Sequence, residues 1–150
     1  TRFADVRAYE VFIHRHTPEI SQYGLGAPAS RPAAGPSVIF TPHSGPWVRG
    51  IFATAYLPLK KEMDGAAAQA LLSKHYAGEF FVRVVPQAHL SWTAQTNFAL
   101  LSASASGKTA IVTAALDNLC KGGAGQAVQS FNLAFGLGEK TGLQQLAAHP

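Results

Sequence analysis

The chain has 150 residues, enough for one domain with its own core, and 47 % hydrophobic content excludes a disordered protein. The single cysteine, Cys120, excludes an intrachain disulfide and a cysteine-based zinc cluster, and favours a reducing, cytoplasmic location. The net charge of +4 comes from scattered lysines and arginines, so we expect no nucleic-acid partner. No apolar run is long enough to span a membrane. Only 13 % of residues are charged, which indicates that a partner subunit or another domain covers part of the surface.

The first third of the chain predicts two strands, a short helix and a loop. Residues 4–13 mix β-branched and aromatic residues, as strands do. Pro18 suits the first turn of a short helix over 18–24. Residues 24–37 are rich in Gly, Pro, Ala and Ser without periodicity and predict a loop, and 37–41 predict a short strand that the next proline ends.

The rest of the chain predicts most of a sheet. The β-patterns lie at 48–59, 80–85, 97–105 and 109–116, the last two forming a hairpin around Ser106 and Gly107. Helical patterns cover 62–77, with Asp64 near the start, and 121–136, before a loosely ordered tail over 137–150. About six strands and two or three helices predict an α+β fold, in which a mostly antiparallel or mixed sheet carries helices on one face.

The first of three polar clusters is centred on His14, Arg15 and His16. Residues two apart on an extended segment point to the same side, so both imidazoles would face one site. With Tyr9 they offer a base near neutral pH and a fork for phosphate or carboxylate. A solvated turn is the alternative. A second alternative is that the two histidines form half of a metal site. No cysteine or further histidine pair completes such a site, so we predict no metal.

The second and third clusters have open interpretations. Arg49, before Gly50 at a strand start, is an anion clamp or an exposed edge charge. Asn118 follows a strand and precedes a Gly-rich turn, a suitable place for ligand recognition, but close packing of a helix on the sheet also explains the glycines. The turn at 121–125 lacks the spacing of a P-loop or a Rossmann fingerprint.

Taken in order, the clusters resemble the N-acetyl-γ-glutamyl-phosphate reductase family. The resemblance rests on His14-Arg15-His16-Thr17-Pro18-Glu19-Ile20, Phe40-Thr41-Pro42-His43, Arg49-Gly50-Ile51, Asp117-Asn118-Leu119, Lys121-Gly122 and Gln126-Ala127-Val128-Gln129. It implies that 1–150 form the carboxy-terminal substrate-binding and dimerisation domain. That domain would be similar to its counterpart in glyceraldehyde-phosphate and aspartate-semialdehyde dehydrogenases. An amino-terminal NADP-binding Rossmann domain would lie outside this chain, and we expect a homo-oligomer.

The resemblance also implies a chemistry. Such enzymes reduce N-acetyl-γ-glutamyl phosphate to N-acetylglutamate 5-semialdehyde with NADPH in arginine biosynthesis, through a cysteine thiolate. His14 or His16 would be the base or oxyanion donor. The acyl-phosphate substrate would be bound by Tyr9, Arg15 and Arg49. The cofactor would be contacted by Asn118 and Gly122.

Two departures from the family pattern matter. No Pro-Gly-Cys-Tyr-like segment is present, and Cys120 would be a spectator, so we expect this chain alone to be inactive. The loop at residues 27–36 is longer than a typical member of the family would need, and we interpret it as a neutral insertion. The alternative functions are a non-catalytic dimerisation module and a related semialdehyde dehydrogenase.

Overall fold

A computed structural model describes residues 5–24 and 38–145. The chain divides into two compact units, Thr1–Val48 and Arg49–Pro150, and each is described by itself. Within the described residues, no helix has the length and apolar character needed to cross a membrane.

The first unit contains a small two-stranded sheet and one helical segment. Strands β1 (Arg7–Ala8) and β2 (His43–Ser44) pair antiparallel. Helix α1 (His16–Glu19) continues as a π-helical turn over Ile20–Gly24. The predicted helix over 18–24 is confirmed and begins two residues earlier.

Two predictions in this unit were wrong. The strand over 4–13 is only two residues long, because the chain turns where Glu10 and Phe12 take φ of 48° and 64°, which no strand accommodates. No strand forms over 38–41, and pairing begins after Pro42 instead. The predicted loop lies outside the described residues from 25 onward, as does the insertion at 27–36.

The second unit is built on a mixed four-stranded sheet. Its strands are β3 (Ile51–Pro58), β4 (Val82–Val84), β5 (Ala99–Ser106) and β6 (Thr109–Leu116), in the order β3-β6-β5-β4. Only the β4–β5 pair is parallel. The β5–β6 hairpin turns at Gly107, whose φ of 56° favours glycine. The α+β prediction is confirmed.

Helix α2 (Gly65–His75) begins as its sequence predicts. The Asp64 carboxylate accepts a hydrogen bond from the Ala67 amide at 2.7 Å, an N-cap contact. The Gln69 side chain then bridges α2 to the sheet: its Nε2 donates to the Val85 carbonyl and its Oε1 accepts from the Ala103 amide, each at 2.8 Å. Gln69 therefore satisfies the β5 backbone where β4 has ended.

The predicted helix over 121–136 is interrupted. A π-helical turn over Cys120–Ala124 contains non-helical backbone at Gly123, and helix α3 (Gly125–Ala134) follows. The tail was predicted to be loosely ordered. Up to 145 it instead packs on α3: Leu143 is buried, and the Leu137 amide donates to the Asn132 carbonyl at 2.8 Å. Residues 146–150 lie outside the described part.

The two faces of the sheet are covered differently. Directly opposed residues of antiparallel strands share a face. One face carries Leu100 and Ala115, which pack with Ala88, Val85 and Leu90 at one end. The rest of this face stays exposed or half-exposed, from Phe52 on the edge strand beside Ala115 to the other end of the sheet. We call this region the open face: Phe52, Thr54, Tyr56, Ser102, Ser104, Ile111 and Thr113. Helix α2 lies on the opposite face.

Candidate functional site

His14 lies at the centre of the polar cluster in the first unit. It is buried, and its Nδ1 accepts a hydrogen bond from the His16 backbone amide at 3.2 Å. The rings of Tyr9, His16 and Phe40 pack edge-on around it, with centroids 4.8 to 5.7 Å away. Its orientation is therefore determined by the backbone and by three neighbouring rings.

A carboxylate faces the other nitrogen of His14. Because Nδ1 accepts a hydrogen bond, neutral His14 carries its proton on Nε2, and Glu10 Oε2 lies 3.7 Å from that atom. On the predicted strand the two residues would have been about 13 Å apart. The turn between them brings them together, so sequence reasoning missed Glu10.

His16 differs from its neighbour. Its side chain is exposed, and its imidazole makes no hydrogen bond to any residue in the described ranges. Arg15, at the N-cap of α1, is also exposed and makes no side-chain capping bond. Tyr9 is partly exposed beside the His14 ring. The structure thus brings together Tyr9, His14 and His16 and leaves His16 accessible.

Asp117 organises the polar cluster of the second unit. It is fully buried at the end of β6, and its Oδ2 accepts from Arg49 Nε at 2.5 Å and from the Gln95 amide at 2.6 Å. Its Oδ1 accepts from the Leu119 and Cys120 amides at 2.8 Å each. One carboxylate therefore joins three chain segments.

The environment of Asp117 keeps it charged. Burial by itself raises the pKa of a carboxyl group, but the Arg49 hydrogen bond and the three backbone amides outweigh that effect and lower the pKa of Asp117 to about 2. The hydrogen bond to Asp117 likewise raises the pKa of Arg49. Arg49 is thus paired rather than the free edge charge that the sequence allowed.

The remaining predicted residues of this unit surround that pair. Asn118 is half-buried, and its Oδ1 accepts from the Gly50 amide at 2.9 Å. At Gly122 an added Cβ would lie 3.2 Å from Leu116 Cδ1 and 3.3 Å from the Asp117 carbonyl, so the turn packs closely on β6. Cys120 Sγ is 3.5 Å from Arg49 Nη2. Arg49, Asn118 and Gly122 are therefore brought together.

The chain matches the family described as semialdehyde dehydrogenase, dimerisation domain, over residues 1–118. It belongs to that family. The match spans both compact units and ends at Asn118. Relatives named N-acetyl-gamma-glutamyl-phosphate reductase are 44 % identical in Laribacter hongkongensis, over 96 % of this chain, and 45 % identical in Symbiobacterium thermophilum, over 91 %. The resemblance predicted from the three motif clusters is confirmed.

These relatives are much longer than the chain. It spans 42 % of the Laribacter hongkongensis protein and 40 % of the protein from Symbiobacterium thermophilum. A third relative of the same name, from Lachnospira eligens, is 44 % identical over 93 % of this chain and 40 % of its own length.

Two apolar surfaces of this dimerisation domain lack a cover among the described residues. The open face presents Phe52 and Tyr56 with hydroxyl side chains and no charge. Helix α3 buries the polar residues Gln129 and Asn132. It exposes an apolar stripe of Val128, Phe131 and the C-cap residue Phe135, and it exposes Leu133 on another side. Contiguous exposed apolar surface of this kind marks interaction sites.

Among the described residues, one groove in the sheet unit is apolar and no metal-binding group is formed. A groove of about 370 Å³ beside α2 is lined by ten residues, nearly all aliphatic, including Leu57, Leu71 and Val112. Within residues 5–24 and 38–145, no three His, Cys, Asp or Glu side chains are grouped so as to hold a metal ion.

Proposed function

We propose that residues 1–150 are the substrate-binding and dimerisation domain of a cytoplasmic N-acetyl-γ-glutamyl-phosphate reductase acting in arginine biosynthesis. The observation that carries this proposal is the identity of 44 % to a relative of that name over 96 % of the chain. The histidine cluster supports it, because it provides an accessible imidazole beside one that is held in place.

In this proposal His16 exchanges the proton and His14 positions it. A cysteine thiol from the rest of the enzyme gives its proton to His16, and its sulfur bonds to the acyl carbon. The bond from that carbon to the phosphate oxygen breaks, and phosphate leaves. The anionic groups of the acyl-phosphate substrate would be bound by Tyr9, Arg15 and Arg49. In Arg49 the free donor is Nη1, which makes no hydrogen bond to a described residue.

The second cluster suits the cofactor. NADPH, when bound, supplies the hydride that turns the thioester into the semialdehyde. Asn118 fits its nicotinamide carboxamide, because a half-buried amide at the end of a strand retains hydrogen-bonding capacity. Gly122 would help the cofactor site by letting the turn after Asn118 pack closely on β6, since an added Cβ would lie 3.2 Å from Leu116 Cδ1.

The two apolar surfaces suggest two partners. The open face is proposed as the homodimer interface, because it is uncharged and carries exposed aromatic residues on a rigid sheet. The apolar stripe of α3 is proposed to contact the NADP-binding domain, which the greater length of the relatives leaves room for.

The test is the activity of the full-length protein. Phosphate-dependent reduction of NADP⁺ by N-acetylglutamate 5-semialdehyde should be detected, and this chain alone should show none. Aspartate semialdehyde is the matched competitor: a higher kcat/KM for it would replace the proposal with a related semialdehyde dehydrogenase. If neither aldehyde reacts while the protein still dimerises, a non-catalytic module is the better description.

A further inference from the structure

Gln95 combines a strained backbone with an exposed side chain. Its φ of 62° lies in the left-handed region, which costs a non-glycine residue free energy. Thr93, Thr96 and Asn97 around it are buried, so Gln95 is the residue through which this segment presents a long polar side chain to solvent. That side chain makes no hydrogen bond to a residue within 5–24 or 38–145. Its amide group is therefore not used by the described part of the fold.

The backbone of Gln95 explains its conformation but not the presence of a glutamine. Its N–H donates to Asp117 Oδ2 at 2.6 Å, and this bond holds the chain in the left-handed turn. A glycine would donate the same N–H and would adopt this φ without strain. The contacts of the folded chain thus favour glycine at position 95. Because strained residues cluster at ligand sites, the glutamine side chain points to a role in binding.

Arg49 lies beside Gln95. Its Nε donates to the same oxygen of Asp117, so the Gln95 backbone nitrogen and the Arg49 side chain converge on one atom. The Arg49 side chain is 31 % exposed, and its Nη1 makes no hydrogen bond to a residue that the structure describes. Gln95 therefore starts next to an accessible cation, and its amide adds a neutral donor and a neutral acceptor there.

We propose that Gln95 is a specificity residue, and that its side-chain amide recognises the acetamido group of the substrate. The inference rests on the proposed function, in which Arg49 binds an anionic group, here the carboxylate. In N-acetylglutamate 5-semialdehyde the carboxylate and the acetamido group are bonded to the same carbon atom. A carboxylate on Arg49 therefore brings the acetamido group beside it. That group has one N–H and one carbonyl oxygen, and a glutamine amide can pair with both.

Gln95→Met tests the amide in the full-length enzyme. The variant keeps the length of the side chain and the left-handed backbone but cannot form these hydrogen bonds. Two aldehydes are compared: N-acetylglutamate 5-semialdehyde and glutarate semialdehyde, which has a hydrogen in place of the acetamido group. The wild type should have the higher kcat/KM for the acetylated aldehyde. Gln95→Met should lower that kcat/KM by about tenfold, the effect of two lost hydrogen bonds, and leave the value for glutarate semialdehyde within twofold.

Two further variants separate binding from a role in the fold. Gln87→Met makes the same change at another exposed glutamine, after β4, and should keep the selectivity of the wild type. Gln95→Gly removes the side chain and the strain together. It should lose selectivity as Gln95→Met does, while its thermal unfolding midpoint stays the same or rises. A lower midpoint with unchanged selectivity would show that the side chain supports the fold, and would overturn the proposal.

The remaining outcomes distinguish this inference from the proposed function. A wild type that reduces NADP⁺ with neither aldehyde overturns the proposed function. A wild type that prefers the acetylated aldehyde, with the same preference in Gln95→Met, overturns only the role of Gln95. Equal losses for both aldehydes in Gln95→Met would mean that the residue does not recognise the acetamido group, and would overturn the inference as well.

Discussion

Single residues in this protein owe their properties to their neighbours. His14 and His16 are two positions apart and have the same chemistry, yet one is buried with both nitrogens facing partners and the other is exposed. The sequence predicted that either could be the base. The hydrogen bond from the His16 amide to His14 Nδ1 separates their roles.

Substituting the two histidines should therefore have unequal effects on the full-length enzyme. His16→Asn should lower kcat by about 100-fold or more, because general acid–base catalysis contributes at least that much. In His14→Asn the amide oxygen can still accept from the His16 backbone, so kcat should fall by about tenfold. The measurement is kcat for the semialdehyde reaction, with unfolding curves as the fold control. A larger loss for His14→Asn would reverse the assignment.

Asp117 should control stability at low pH. Its pKa is lowered from 3.8 to about 2 in the folded protein, so its contribution is complete above the unfolded-state pKa and is lost as pH falls through about 2. Asp117→Asn should cost about 3 kcal/mol at pH 7, the penalty for breaking a buried pair. The variant should also lose less stability than the wild type between pH 4 and pH 2.

Denaturant unfolding at several pH values measures both effects. Asp64→Asn is the matched control: it makes the same chemical change at an exposed N-cap, where asparagine caps equally well, so stability should change little. An Asp117→Asn protein with the acid profile of the wild type would contradict the role given to the carboxylate.

Among the elements, α3 departs most from its sequence pattern. The apolar side chains of a helix usually face a core, but α3 buries polar side chains instead. Gln129 Oε1 accepts from Asn97 Nδ2 at 2.9 Å and from Lys121 Nζ at 2.7 Å, and its Nε2 donates to Glu139. Burial lowers the pKa of Lys121 below its ordinary value, and the charges of Glu139 and Glu79 offset only part of that effect. A hydrogen-bonded polar layer thus attaches α3 to the domain.

The start of α3 requires a glycine. An added Cβ at Gly125 would lie 2.4 Å from Asn97 Oδ1 and 2.8 Å from the Cys120 backbone. Gly125→Ala should destabilise the protein by about 1–3 kcal/mol, the usual cost of overpacking. Gly78→Ala is the control, since nothing lies within 4 Å of its Cβ position, and should change stability by about 0.5 kcal/mol or less. Equal unfolding free energies for the two variants would contradict the packing described here.

Most elements with a local signal were predictable. Strands β3, β5 and β6 show the β-pattern over many residues, and α2 has both its stripe and its Asp64 cap. The three-residue β4 is parallel to β5, and the break at Gly123 lies inside a helical pattern. The strand over 80–85 was itself predicted and the glycines at 122–125 are a local signal for a break. The parallel pairing of β4 and the turn at 10–13 depend on long-range packing and have no local signature.

At the scale of the whole molecule, the open face should decide assembly. Tyr56 lies on the edge strand β3 of the open face and is 71 % exposed, so a charge there costs little in folding. In the full-length protein Tyr56→Arg should shift the dimer toward monomer in sedimentation velocity, because the interface would bury an unpaired charge.

Leu71→Arg is the matched control for that experiment. Leu71 is also exposed and apolar, but it lies on α2, which covers the opposite face of the sheet. We expect this variant to remain dimeric. Dissociation by Leu71→Arg with an intact Tyr56→Arg dimer would move the interface to the α2 side.

The family, the α+β class and the three clusters could be predicted from the sequence alone, because they follow from residue types at short spacing. The sequence placed the histidines together and Asn118 beyond a strand. Three contacts became visible in the folded chain: Glu10 faces His14, Asp117 pairs with Arg49, and the Gly50 amide donates to the side-chain oxygen of Asn118. Each of these contacts depends on how the chain turns or on segments up to 68 residues apart, and no local pattern encodes such distances.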